Sequence, residues 1–448
     1  MGGNAAFYGA CAGGHLAVAR WMQQTFQLTV HDVRAKMNNH AFRGACAGGH
    51  LEVARWLVET FQLPAADARS ARNYAFRKAC KQGHLKLARW LRRTFQLTAQ
   101  DARAVDNYAL HWACANGHLW VAQWLQRTFQ LTADGVRAND NVIFRDVCAC
   151  GHLEVASWLQ RTFELTAADA RVGNNAALRM ACEHGYIKVA RWLQRTFRLT
   201  AADARSLDNY ALRGACERGH LEVARWLHRT FRLTASDVRA DDVLCSACEY
   251  GHLSVARWLQ QAFQLTADDA RVGNNAALRV ACLEGHLGVA RWLQQTFQLT
   301  ADDARMGNNI ILREACATGR LDVAHWLQQT FQLTTADART YGNDTLHRAC
   351  AGGYHEIVRW IQRTWGIPPG SQAAAIAYVP LATECGAYLR SLRALTWSSR
   401  THAEYPLASR RLALLMLLVY QRLARGLSGL PYLPPELWLH LLSHLPAW

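Results

Sequence analysis

Hydrophobic positions along this chain recur in short, evenly spaced groups rather than in long runs. From Asn175 the residues read N-A-A-L-R-M-A-C-E-H-G-Y-I-K-V-A-R-W-L-Q-R-T-F-R-L-T-A-A-D-A-R. Ala177, Leu178, Ala181 and Cys182 fall at i, i+1, i+4 and i+5, one face of a helix, and Gly185 marks its C-terminal stop. A second helix follows, with Val189, Trp192, Leu193 and Phe197 on one side and Arg191 and Arg195 on the other. The pattern predicts a helical hairpin, and it repeats along most of the chain. Cys11, Cys46, Cys80, Cys114, Cys148, Cys182, Cys216, Cys248, Cys282, Cys316 and Cys350 stand mostly 34 residues apart, with a tryptophan ten residues after each, from Trp21 to Trp360. A fixed period of this size is the signature of a stacked solenoid, in which each repeat buries its apolar face only against its neighbours.

The repeats resemble the ankyrin family. Gly219 to Leu227 reads G-H-L-E-V-A-R-W-L, similar to the family's G-H-x-E-V-V-x-L-L, and Asp344 to Cys350 reads D-T-L-H-R-A-C, similar to T-P-L-H-x-A-A. The resemblance implies an all-α solenoid of about eleven helical hairpins over residues 1–365. Two departures are regular: Ala-Leu-Arg replaces Pro-Leu-His, and F-x-L-T-x-x-D-A-R replaces the G-A-D-x-N finger. In eight of ten connections a threonine stands three residues before an aspartate, as in Thr98/Asp101 and Thr300/Asp303. That is a capping-box spacing, so the fingers are expected to be short helices rather than β-hairpins. The near-identical repeats and the trimmed one around Asp241-Asp242 resemble a Trp-rich ankyrin type of amoeba-infecting DNA viruses.

Composition narrows the reading. With 448 residues, 51% hydrophobic and 19% charged, and a mean hydropathy of −0.13, disorder and membrane spanning are excluded. The net charge of +16 permits nucleic-acid or acidic-partner binding. Only five basic residues are lysines, Lys36, Lys78, Lys81, Lys86 and Lys188, and none follows Lys188. GC-rich coding explains this bias, and so does avoidance of lysine modification. Despite 14 cysteines, no charged n-region with an apolar h-region opens the chain, so free thiols and a cytoplasmic or nuclear, non-secreted protein are expected.

The recurring residues read as architecture. One cysteine per repeat leaves neighbours about 8–10 Å apart, too far for a disulfide or a shared zinc ion. Cys148/Cys150 and the CxxC pair Cys245/Cys248 are the only close spacings, and neither is expected to hold metal or do redox chemistry. The eleven tryptophans are expected in the core. The histidine of Gly-His, present in eight repeats and replaced by Tyr186, Arg320 and Tyr354 in others, is expected to stabilise a turn. No phosphate loop, nucleophile elbow or isolated acid–base set rises above the repeat, so a non-enzyme without cofactor or metal is expected.

What varies between repeats carries the functional expectation. The position before Ala-Cys and the two before Gly differ freely: Lys78, Lys81, Gln82, Trp112, Asn116, Asp146, Met180, Glu183, His184, Glu217, Arg218, Glu249, Tyr250, Leu283, Glu284 and Glu314. The ankyrin resemblance implies that these positions line a concave groove holding a protein partner. Their mixed signs favour a protein over nucleic acid, whose phosphates want a uniformly basic track. A monomer with no membrane partner is expected.

Composition shifts after Trp365, with eight of nine prolines from Pro368 onward. Residues 366–380 read as a linker and 381–448 as a small helical C-terminal module. Its apolar stretch Leu412 to Tyr420 is too short to cross a bilayer. Residues 433–446 resemble the opening of an F-box, the motif that docks substrate receptors onto the Skp-type adaptor of cullin ubiquitin ligases. The resemblance implies adaptor contacts from Leu433, Pro434, Leu437, Trp438, Leu441, Leu442 and Leu445, several of which form an i, i+4, i+5, i+8 apolar face. An F-box has about three helices, and here the chain stops after one. Pro406 through Leu445 also resembles a SOCS box, which would recruit elongins B and C. The expected function is a scaffold that delivers a bound protein to a host ubiquitin ligase. The alternatives are a plain ankyrin scaffold without a ligase link and a basic nucleic-acid-associated protein.

Overall fold

Helix Leu221–Phe231 shows why the hairpins stack. It buries Val223, Ala224, Leu227 and Phe231 on one stripe and leaves Arg225 and Arg229 in water. The helix before it buries Ala211, Leu212, Ala215 and Cys216, and small Ala and Cys side chains let successive first helices pack side by side. The same hairpin recurs through the computed structural model, which describes residues 3–34, 39–239 and 242–366. The expected linker, C-terminal module and F-box-like segment lie outside the described residues. The chain divides into two bodies, residues 1–241 and 242–448, at the shortened repeat. No strand occurs among the described residues, and the fold is an all-α solenoid of helical hairpins.

Every repeat cysteine is fully buried. Burial pushes the Cys11 thiol up to about 12 and raises those from Cys46 to Cys316 as well, so these thiols stay protonated and unreactive.

The tryptophans are less buried than the sequence suggests. Trp158, Trp258, Trp292 and Trp326 are buried, most of the others are half-buried, and Trp21 is 58% exposed. Each lies on the flank of its helix, and its ring packs edge-on against the aromatic ring five residues later, as Trp158 does on Phe163 at 5.7 Å.

The fingers are short helices, as the Thr and Asp spacing predicts. Asp203 accepts from the Thr200 backbone N–H at 2.7 Å and from its hydroxyl at 2.9 Å, closing a capping box. The sequence reading did not anticipate the second use of this carboxylate. Arg171, one repeat earlier, donates to it through Nε at 2.7 Å and Nη2 at 3.1 Å. The same rung joins Arg34 to Asp67, Arg69 to Asp101, Arg137 to Asp169 and Arg205 to Asp237 in the first body, and Arg271 to Asp303 and Arg305 to Asp337 in the second. Some arginines also satisfy the carbonyls that end the next second helix: Arg69 Nη2 reaches Phe95 O and Gln96 O, both at 3.3 Å. Burial raises the Asp203 carboxyl, but the hydrogen bonds from Arg171 and Thr200 outweigh it and hold the group down at about 2.

Between finger and first helix the chain makes a left-handed turn of three residues. Gly173, Asn174 and Asn175 have φ of 63°, 55° and 57°, and in other repeats non-glycine residues take the same path, as at Leu207, Asp208 and Asn209. The third residue is a buried asparagine in most repeats. Asparagine tolerates this backbone, and its side chain reaches the next finger. Asn141 Nδ2 donates to Asp169 O at 3.1 Å, and Asn275 does the same to Asp303 O at 3.1 Å.

The Gly-His turns also join repeats. A Cβ on Gly117 (φ +77°) would stand 2.7 Å from the His152 ring of the following repeat, so only glycine lets the imidazole lie against this turn. Tyr186, Arg320 and Tyr354 occupy the same place over Gly151, Gly285 and Gly319. Arg320 Nε donates to Leu283 O at 3.2 Å, and His84 bonds to the Ala47 backbone. The histidine is therefore an inter-repeat clamp that other flat polar groups can replace.

One rung of the Arg–Asp ladder is missing. Gly135 stands where other fingers have aspartate, and Asn107 Nδ2 reaches its carbonyl at 3.2 Å. Gly135→Asp should restore the capping box with Thr132 and a partner for Arg103, raising the unfolding free energy read from denaturant titration by about 1 kcal/mol. Asp303→Ala should lower it by about 2 kcal/mol, since box and ion pair are lost together.

Acid should destabilise the first body in two steps. Burial lowers His84 and His118 below their ordinary 6.5, so the folded state favours neutral rings. Their contribution is complete above pH 6.5 and declines as pH falls through that value. The aspartates, held below 3.8, contribute fully above that pH and lose their contribution as pH falls towards about 2. Denaturation midpoints measured against pH should show both steps, and His84→Tyr with His118→Tyr should remove much of the first.

Candidate functional site

The C-terminal turn of each first helix positions the variable residues. Lys78, Lys81 and Gln82 stand at i, i+3 and i+4, on the face opposite buried Ala79 and Cys80. All sixteen expected groove residues are half-buried or exposed, while the Ala and Cys beside them are sealed. In the first body the structure carries Lys78, Lys81, Gln82, Trp112, Asn116, Asp146, Met180, Glu183, His184, Glu217 and Arg218 along successive first helices. In the second it does the same for Glu249, Tyr250, Leu283, Glu284 and Glu314.

Several of these residues touch across repeats. In the first body the Lys81 ammonium sits 3.6 Å from the centre of the Trp112 ring, and Asn116 Nδ2 donates to Lys81 O at 2.8 Å. Glu183 accepts from the Tyr210 hydroxyl at 3.1 Å and from Arg218 Nη2 at 3.4 Å. Within single repeats, His184 Nδ1 lies 2.9 Å from Met180 O, and Arg213 pairs with Glu217 at 3.5 Å. In the second body Arg279 Nη1 pairs with Glu314 at 3.4 Å.

Sequence reasoning missed a second row on the same face. An arginine stands three residues before the repeat cysteine at Arg43, Arg77, Arg145, Arg179 and Arg213 in the first body and at Arg279 and Arg313 in the second. Arg77 and Arg179 cap their own left-handed turns: Arg77 donates to Arg72 O at 2.7 Å and Ala71 O at 3.1 Å, and Arg179 to Asn174 O at 2.8 Å and Gly173 O at 2.9 Å. They also lie over a tyrosine of the next repeat, Arg77 on Tyr108 at 4.5 Å and Arg179 on Tyr210 at 4.9 Å. His111 stands at this position in one first-body repeat and instead contacts Asp146 at 2.8 Å. The signal was the recurrence of Ala-Leu-Arg, which reads as a family departure until the turn it caps is known.

The opposite face of the first body holds a cavity of 430 Å³ lined by Leu119, Gln123, Leu153, Glu154, Ser157, Trp158, Arg161 and Trp192. Ser157 stands where Arg191 and Arg225 fill the corresponding place. No group of His, Cys, Asp and Glu suited to a metal ion occurs among the described residues. Cys245 and Cys248 are free thiols, Cys245 raised to about 12, chiefly by burial. No helix among the described residues is long and apolar enough to cross a membrane.

The family model for ankyrin repeats matches residues 42–135 over three copies. No curated protein matches the chain. The hairpin in the matched stretch, with its buried Ala-Cys pair, left-handed turn and clamped glycine, is the one that recurs up to Cys350, and the chain accordingly carries ankyrin repeats, which indicate a scaffold for protein–protein interaction.

Proposed function

We propose that the first-helix face in each body binds a protein partner, and that the C-terminal segment links that partner to a cullin ubiquitin ligase through a Skp-type adaptor. The first half rests on one observation. Residues that differ from repeat to repeat are the accessible ones, on a frame whose other positions are fixed by burial, capping boxes and ion pairs. A binding surface that reads a particular protein needs that combination of a rigid frame and adaptable side chains. The alternation of Lys81, Asp146, Glu183 and Arg218 favours a protein surface over nucleic acid.

The ligase half rests on the sequence of residues 433–446 and on the absence of lysine after Lys188, which suits a receptor that escapes its own ubiquitination. With the full chain as bait, purified Skp-type adaptor is expected to be retained, and retention should be lost from a chain ending at Gly429. Retention of elongins B and C instead would assign the tail to the SOCS-type reading. Retention of neither would leave a partner-binding scaffold without a ligase link. For the groove itself, Glu183→Lys with Glu217→Lys should change the set of proteins captured, whereas Arg191→Glu with Arg195→Glu on the outer helix face should not.

A further inference from the structure

This inference rests on the partner-groove reading and deepens it for one stretch of the first body. The first helices at 40–47, 73–82 and 107–116 contain no aspartate or glutamate. They carry Arg43, Arg77, Lys78 and Lys81, and aromatic rings of the neighbouring turns hold these cations. Arg43 lies 4.0 Å over Tyr74, Arg77 4.5 Å over Tyr108 and Lys81 3.6 Å over Trp112, with Lys78 5.4 Å from the Tyr74 ring. Such contacts orient a cation without neutralising it. Lys78 and Lys81 enter no ion pair among the described residues, and both stay accessible to water. The next first helix offers Asp146, which His111 engages at 2.8 Å.

We propose that this row is a docking surface for an acidic segment of the partner protein, whose carboxylates meet the ammonium groups of Lys78 and Lys81 beside the guanidinium groups of Arg43 and Arg77. Charge complementarity selects the occupant, because the accessible ammonium groups of Lys78 and Lys81 have no carboxylate among them on three successive first helices. Nucleic acid fits less well. Bases stack on free ring faces, but here cations cover the rings, and the Trp112 ring also lies against His111 at 5.2 Å and 23°. Farther along the same body Glu183 and Glu217 would repel a phosphate track.

The test titrates the full-length chain into fluorescent poly-glutamate, poly-glutamine of equal length and single-stranded oligothymidylate at about 0.15 M salt, read by anisotropy. Poly-glutamate is expected to bind most tightly. Lys78→Glu with Lys81→Glu should weaken it about tenfold or more, and Arg191→Glu with Arg195→Glu, an equal change of net charge on the outer helix face, should leave it within about twofold. Should the charge reversal disturb the fold by circular dichroism, Lys78→Gln with Lys81→Gln replaces it, with the same direction expected. Equal weakening by both pairs, equal binding of poly-glutamine, or a preference for the oligonucleotide that is lost on the Lys78/Lys81 change would each overturn the inference. The Glu183/Glu217 capture experiment reports on the groove separately and can succeed where this one fails.

Discussion

A single carboxylate per repeat does most of the joining in this solenoid. In the finger containing Asp303 it accepts from the Thr300 backbone N–H and hydroxyl within the finger and from the Arg271 guanidinium of the preceding repeat. The first pair of bonds starts a helix, and the second ties it to its neighbour, so local structure and stacking depend on the same oxygen atoms. An isolated exposed ion pair contributes little. This one is shielded, with the aspartate side chain 7% exposed, and its geometry is set in advance by the capping box. A repeat that cannot bury its apolar face alone thereby acquires a directional link to the next.

The left-handed turn is the second half of that link. Three successive residues at positive φ are costly for side chains with a Cβ, and several repeats pay nothing back through glycine, since Leu207, Asp208 and Asn209 follow the path without one. Bonds from both sides offset the cost. The buried asparagine that ends the turn reaches the carbonyl of the next finger's aspartate, and an arginine on the following helix can hold the turn's own carbonyls, as Arg179 does. Finger, turn and first helix thus form one strut, and the second helix packs against it through Leu and Phe.

The periodicity was enough to read the hairpins, because burial follows helical spacing directly. It was also enough for the capping boxes, because the motif is local: Thr and Asp three residues apart on one turn. Contacts between repeats were not legible in the same way. Arg171 and Asp203 lie 32 residues apart, and nothing in either one's neighbourhood says that they meet. The left-handed turn had a trace, an asparagine seven residues before the cysteine in ten of eleven repeats, Asn4 to Asn343, with Asp241 the exception. Reading it required knowing that a buried donor was needed there. The tryptophans misled because a large apolar residue in every repeat looks like core, whereas a ring on a helix flank is covered only as far as its neighbours reach.

The groove residues follow from this division of labour. Alanine and cysteine fill the space between first helices, glycine admits the clamp, and Thr, Asp, Arg and Asn supply the directional bonds, so each is held to a narrow choice. Exchanges at exposed positions away from such bonds usually change stability by no more than about 0.5 kcal/mol, and a pair of lysines, a tryptophan or a glutamate can be set on the stripe while the frame beneath it is kept. The cationic row around Lys78 and Lys81 and the carboxylates at Glu183 and Glu217 are two settings of that same stripe within one body. Because the stripe is read by position along the stack, a partner is recognised through the order of charges it presents rather than through any single pocket.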